Sequence, residues 1–201
     1  MLAQRARTAL AGSLGFAAVL WAIYLLTLVL GPVLLPLLGI LPRNVEGLDG
    51  VVFAPLLHAG AGHLLGNTLP LIVFSFLTLL EGVRPFLAVL GISWLASGIG
   101  VWLFGSGLTV GVSGVVFGLF AYLMVRGFYN RNVPQILLSA VLFLIYGSIL
   151  WGLFPTSVGV SWQAHLFGAA GGVLAAVVLR HSPGLTQKRA LTRRTRRIRR
   201  T

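Results

Sequence analysis

Apolar residues run along this chain in six blocks, separated by short stretches where glycine, proline, serine and charge collect. The blocks extend from about Thr8 to Ile40, Gly62 to Leu80, Pro85 to Phe104, Ser113 to Val125, Pro134 to Phe154 and Trp162 to Leu179. Runs this long and this apolar read as membrane-crossing helices. The first block has room for a break around Gly31-Pro32. Arg5 and Arg7 ahead of it resemble the start of a signal peptide, but the apolar run outlasts a signal core, so it reads as a retained helix. Gly105-Ser106-Gly107 and the stretch Pro155 to Ser161 read as loops. The predicted fold class is all-α: a polytopic membrane protein with a six-transmembrane-helix bundle over residues 1–180 and a basic tail over 181–201.

Composition supports this. Of 201 residues, 57% are hydrophobic and 9% charged, against about 25% charged in ordinary soluble domains. Cysteine is absent, which excludes disulfides, a thiolate nucleophile and thiolate metal sites. The net charge of +12 is unevenly spread, with nine of the fifteen basic residues between Arg180 and Arg200. Such a run can bind nucleic acid. Directly after a membrane helix it reads instead as a cytoplasmic anchor touching anionic lipid, with no nucleic-acid partner. Alternating the six blocks puts 14 basic residues on one side and only Arg43 on the other, beside Glu46 and Asp49. Both termini are therefore expected in the cytoplasm of a multi-pass plasma-membrane protein.

The fourth block is short. From Gly111 to Arg126 there are 16 residues, about 24 Å of helix against a hydrocarbon core of about 30 Å. With Arg126 at the inner interface, Ser113 lies below the outer one. The Gly-rich stretch before it must then enter the membrane as non-helical backbone, which requires protein or water around it.

That depth matters because other polar groups share it. His63 and Asn67 open the second block and His165 the sixth, both also starting from the outer face. Polar groups within apolar spans are expensive and are by default candidates for function. A serine hydroxyl becomes a nucleophile when a base takes its proton, and neutral histidine is the usual base. His63 and Asn67, at i and i+4, share a helical face and with the Ser113 N–H could stabilise an oxyanion. No acid is placed to complete a triad, so the candidate is a Ser113–His165 dyad with Phe117, one turn after Ser113, packing on the imidazole. Gly114 and Gly118, with Gly168 and Gly172, form small-xxx-small pairs suited to close approach of the fourth and sixth helices. Blander readings stand beside each: a serine bonded to its own helix, an asparagine acting as interhelical glue, a structural histidine. His58, His63 and His165 could bind a metal, but five-residue spacing splits the first two across a helix, and neither metal nor cofactor is expected.

In combination these motifs resemble the rhomboid family of intramembrane serine proteases, in its bacterial six-helix form. The resemblance rests on His58-x4-His63-x3-Asn67, Gly111-x-Ser113-Gly114 and Ala164-His165-x2-Gly168-x3-Gly172. It implies Ser113 as nucleophile, His165 as general base, and His63, Asn67 and the Ser113 amide as oxyanion hole. His58 would support the site, and Glu81 resembles a structural acid of the family. Trp151 and Pro155 to Ser161 fall where the family has its lateral gate and capping loop, and the substrates implied are transmembrane proteins cut near the outer face. Two departures are visible: the family often has tyrosine where this chain has Phe117, and the loop Leu41 to Leu57 is short. The alternative is an inactive rhomboid-like protein that binds or escorts membrane proteins; a small transporter would need polar groups through the full thickness.

Overall fold

The computed structural model describes residues 2–31, 33–155 and 159–180; the predicted tail over 181–201 lies outside them. Among the described residues there are eight α-helices: α1 (Leu2–Leu30), α2 (Leu34–Leu38), α3 (Gly50–Phe53), α4 (Ala61–Leu79), α5 (Val83–Phe104), α6 (Ser113–Asn130), α7 (Val133–Tyr146) and α8 (Trp162–Val178). Three 3-10 segments, Val45–Gly47, Ala54–Leu56 and Gly147–Leu153, also occur among the described residues. Among the described residues four helices are long and apolar enough to cross a membrane: Ala3–Leu30, Ala61–Leu79, Val83–Phe104 and, with its 3-10 extension, Val133–Leu153. α8 is apolar but has only 17 residues.

The six blocks therefore correspond to more than six helices, for local reasons. The first divides at Gly31, whose φ of +81° ends α1 before α2 begins. The fifth tightens at Gly147 into the 3-10 segment, a common way to end an α-helix. The loop Leu41 to Leu57 holds α3 and two short 3-10 turns. It is pinned to α5 by indole N–H groups, Trp102 donating to the Asn44 carbonyl at 2.8 Å and Trp94 to the Val51 carbonyl at 3.1 Å. Arg43 has φ +58° and donates to the Leu103 and Gly105 carbonyls at 3.2 and 2.8 Å. Its charge meets the unpaired carbonyls at the α5 C-terminus, where a cation is favoured.

α6 runs past Val125, the end of the fourth apolar block, to Asn130, and Arg126 is 4% exposed. It is ion-paired with Glu81. Glu81 also accepts the Tyr122 hydroxyl at 2.6 Å and the Gln135 amide at 3.2 Å. Pairing with the carboxylate offsets part of the cost of burying the cation. The network ties the end of α4 to α6 and α7.

α6 forms the centre. Its Val115, Val116, Leu119, Phe120 and Leu123 are buried against Leu64, Leu71 and Phe74 of α4 and Ala175 and Ala176 of α8. The most extensive helix contact is between α6 and α8. It exists because the glycines meet there: a Cβ on Gly168 would strike the Gly114 carbonyl, and one on Gly172 the Gly118 carbonyl. This is the close packing that small residues permit.

Candidate active site

At the end of the bundle opposite the Glu81 network lies a cavity of about 700 Å³ lined by Ser113, His165, His63, Asn67 and Phe117. Ser113 is the first residue of α6, so its N–H belongs to the unpaired amides of a helix start. The chain arrives there as non-helical backbone. Thr109 and Ile40 exchange backbone hydrogen bonds at 2.9 and 3.1 Å, and the Gly111 N–H donates to the Ala54 carbonyl at 2.8 Å. Gly111 has φ +120°, and a Cβ there would lie 2.5 Å from His63 Cε1. Glycine thus supplies both the backbone conformation and the space that lets the His63 ring reach the turn before Ser113.

The Ser113 hydroxyl makes no hydrogen bond among the described residues, so the reading of a serine bonded back to its own helix does not hold. His165 is 7% exposed and stacks on Phe117 with ring centroids 4.1 Å apart and planes inclined by 6°. Its Nδ1 lies 2.8 Å from the Gly152 carbonyl. A carbonyl can only accept, so Nδ1 carries the proton and Nε2 keeps its lone pair. The α8 start is secured by Ser161, which accepts the Ala164 N–H at 3.3 Å, and by the Ser97 hydroxyl, which donates to the Ala164 carbonyl at 3.0 Å. No direct hydrogen bond joins Ser113 to His165. Such contacts are often long without substrate and are completed by closure or one water.

His63 and Asn67 face the cavity from the first turns of α4. One Asn67 N–H donates to the His63 carbonyl at 3.0 Å; the second remains for a ligand. His58 does not line the cavity. It precedes α4, so helical spacing does not separate it from His63, and the two rings meet edge to face at 5.1 Å. Burial, followed by the charge of His63, pushes the His58 pKa down to about 4. No group of three or more histidine, cysteine or acidic side chains suited to a metal occurs among the described residues. Gly114, Gly168 and Gly172 act behind the cavity, in the α6–α8 contact.

Sequence reasoning missed Gly152 and Ser97. A backbone carbonyl leaves no residue-type signal, and the Ser97 hydroxyl is legible only as one more small polar residue in α5.

Residues 46–182 match the Rhomboid domain family. An uncharacterized protein of Mycobacterium tuberculosis is 44% identical over 151 residues, 70% of this chain and 63% of that protein. One from Mycobacterium leprae is 42% identical over 151 residues, 70% and 60%. A Bacillus subtilis protein named "Putative rhomboid protease YdcA" is 33% identical over 123 residues, 59% and 61%. The aligned part of the chain spans about three-fifths of the length of each of these relatives. With that domain over most of its length and membrane-capable helices around a polar cavity, the chain belongs to the rhomboid family of multi-pass membrane proteins.

Proposed function

We propose that the chain is an intramembrane serine endopeptidase that cuts transmembrane segments of other proteins near the outer face of a bacterial plasma membrane. The observation that carries this is one cavity onto which an unbonded Ser113 hydroxyl and a His165 ring with Nδ1 already occupied both open. In this reading the membrane is crossed six times, by α1, α4, α5, α6, α7 with its extension, and α8. Both termini are cytoplasmic, and the basic tail lies on anionic headgroups.

The chemistry follows from the atoms. Ser113 Oγ attacks the scissile carbonyl as its proton passes to His165 Nε2, and the imidazolium then protonates the leaving amine. Water, deprotonated by the same nitrogen, attacks the acyl-enzyme and releases Ser113. The oxyanion is met by the Ser113 N–H, the free Asn67 N–H and His63. A helical substrate hides its carbonyls, so the segment must unwind before it can be cut. Stacking on Phe117 and the Gly152 hydrogen bond hold the ring without a carboxylate.

The test is cleavage of a reporter transmembrane substrate by the purified chain in liposomes. The wild type should cut and Ser113→Ala should not. Cleavage retained in Ser113→Ala would overturn the mechanism. Binding of the reporter without cleavage by the wild type would favour an escort role.

A further inference from the structure

Gly152 sits where two rings and a backbone segment converge. It lies in the 3-10 segment Gly147–Leu153, beside Trp151, which is 71% exposed. A Cβ on Gly152 would lie 2.9 Å from His165 Nδ1 and 3.0 Å from Phe117 Cζ. Only glycine brings its backbone this near both rings, and its carbonyl accepts the Nδ1–H at 2.8 Å. In a serine-protease triad a buried carboxylate holds the histidine in one tautomer. Here Glu81 is engaged in the network at the other end of the bundle, and Glu46 and Asp49 lie in the outer loop.

We propose that Gly152 is the positioning residue of the general base, its carbonyl taking the carboxylate's place through the His165 Nδ1–H bond. This rests on the proteolytic reading. For Nε2 to accept the Ser113 proton, the other ring nitrogen must hold its own, and a pure acceptor facing Nδ1 enforces that. When the proton arrives the ring becomes cationic, and the same N–H···O=C contact becomes charge-assisted and stronger. It thus favours the transition state over the resting state. The Nδ1 proton never moves: one proton travels from Ser113 Oγ to Nε2 and on to the leaving amine.

Gly152→Ala drives a methyl against Nδ1, so the ring or the segment must shift. Loss of a charge-assisted hydrogen bond in the transition state corresponds to a fall in kcat of about 10- to 100-fold, with KM changed less than about twofold. Gly147→Ala is the control on the same segment: the nearest neighbours of its methyl are Phe143 ring carbons at 3.5 Å, an ordinary contact, and kcat should stay at the wild-type value. A merely structural role is separated by histidine ¹⁵N NMR, with the His165 ring assigned by difference from His165→Asn. At neutral pH the wild-type ring should carry its proton on Nδ1, and Gly152→Ala should show a mixture of tautomers.

A proton on Nε2 in the wild type overturns the proposal even if Gly152→Ala fails to fold. So does a folded Gly152→Ala with wild-type kcat and an unchanged tautomer. A wild type that cleaves nothing overturns the proteolytic reading instead, and the tautomer then decides the Gly152 contact separately.

Discussion

Replacing Gly168 with alanine adds one methyl group at the point where α6 and α8 touch. That carbon would land on the Gly114 peptide, 2.6 Å from its carbonyl carbon and 2.9 Å from its Cα, with the carbonyl oxygen closer still. Carbon atoms pack at about 3.5–4.0 Å, so α6 and α8 must part by about 1 Å at this level. Overpacking of this kind costs roughly 1–3 kcal/mol, which leaves a folded but weakened protein. Gly114 directly follows Ser113, and Gly168 lies one turn beyond His165, so the displacement falls on the proposed Ser113–His165 pair. Misplacement by 1 Å is worth about 100-fold in rate. Initial rates on a transmembrane reporter, read beside thermal unfolding midpoints, should show kcat lowered by about 100-fold and a lower midpoint. Gly15→Ala, where nothing lies within 4 Å of the added methyl, should change neither. Wild-type kcat in folded Gly168→Ala would refute the claim that α6–α8 spacing sets the chemistry.

Other perturbations separate stability from catalysis. Glu81→Gln leaves the buried Arg126 without its counter-charge, and breaking such a pair costs about 3–5 kcal/mol; the unfolding midpoint should drop sharply, and an unchanged midpoint would show that the network carries little. Because burial holds the His58 pKa near 4 in the fold, below its ordinary 6.5, the unfolded chain takes up the proton first as pH falls. Stability should be complete above pH 6.5 and decline to about pH 4, by up to roughly 3 kcal/mol. His58→Gln should flatten that decline in pH-dependent unfolding, and equal slopes would assign the effect elsewhere. Phe117→Ala removes the stacked ring from His165 and should lower kcat about tenfold, in keeping with an aromatic pair worth about 0.5–1.5 kcal/mol, while KM stays near wild type; a rise in KM alone would move Phe117 into substrate binding.

The parts of this molecule legible in sequence are those where lipid leaves a residue little choice. Four apolar blocks became membrane-capable helices, and the glycine pairs at 114/118 and 168/172 became the α6–α8 contact. Ser113, His63, Asn67 and His165 stood out as polar groups in apolar surroundings, and one cavity collects them. What escaped depends on local geometry or on a distant partner. Arg126 stays buried beside Glu81, which the end of α4 brings to it, a pairing that no local pattern announces. His58 and His63 meet because α4 starts only at Ala61, a boundary that periodicity does not fix. Arg43, with its left-handed φ, donates to the Gly105 carbonyl at the end of α5, a contact that no local pattern reveals. The acceptor for His165 is a peptide carbonyl, common to every residue type.

The central claim is that Ser113 is a nucleophile made reactive by His165. Incubation with a fluorophosphonate followed by peptide mass analysis tests it without any substrate. The account predicts one covalent phosphonyl adduct on Ser113 in the wild type, and none in Ser113→Ala or His165→Asn. An adduct formed at full rate in folded His165→Asn, or none on Ser113 in the folded wild type, would contradict it.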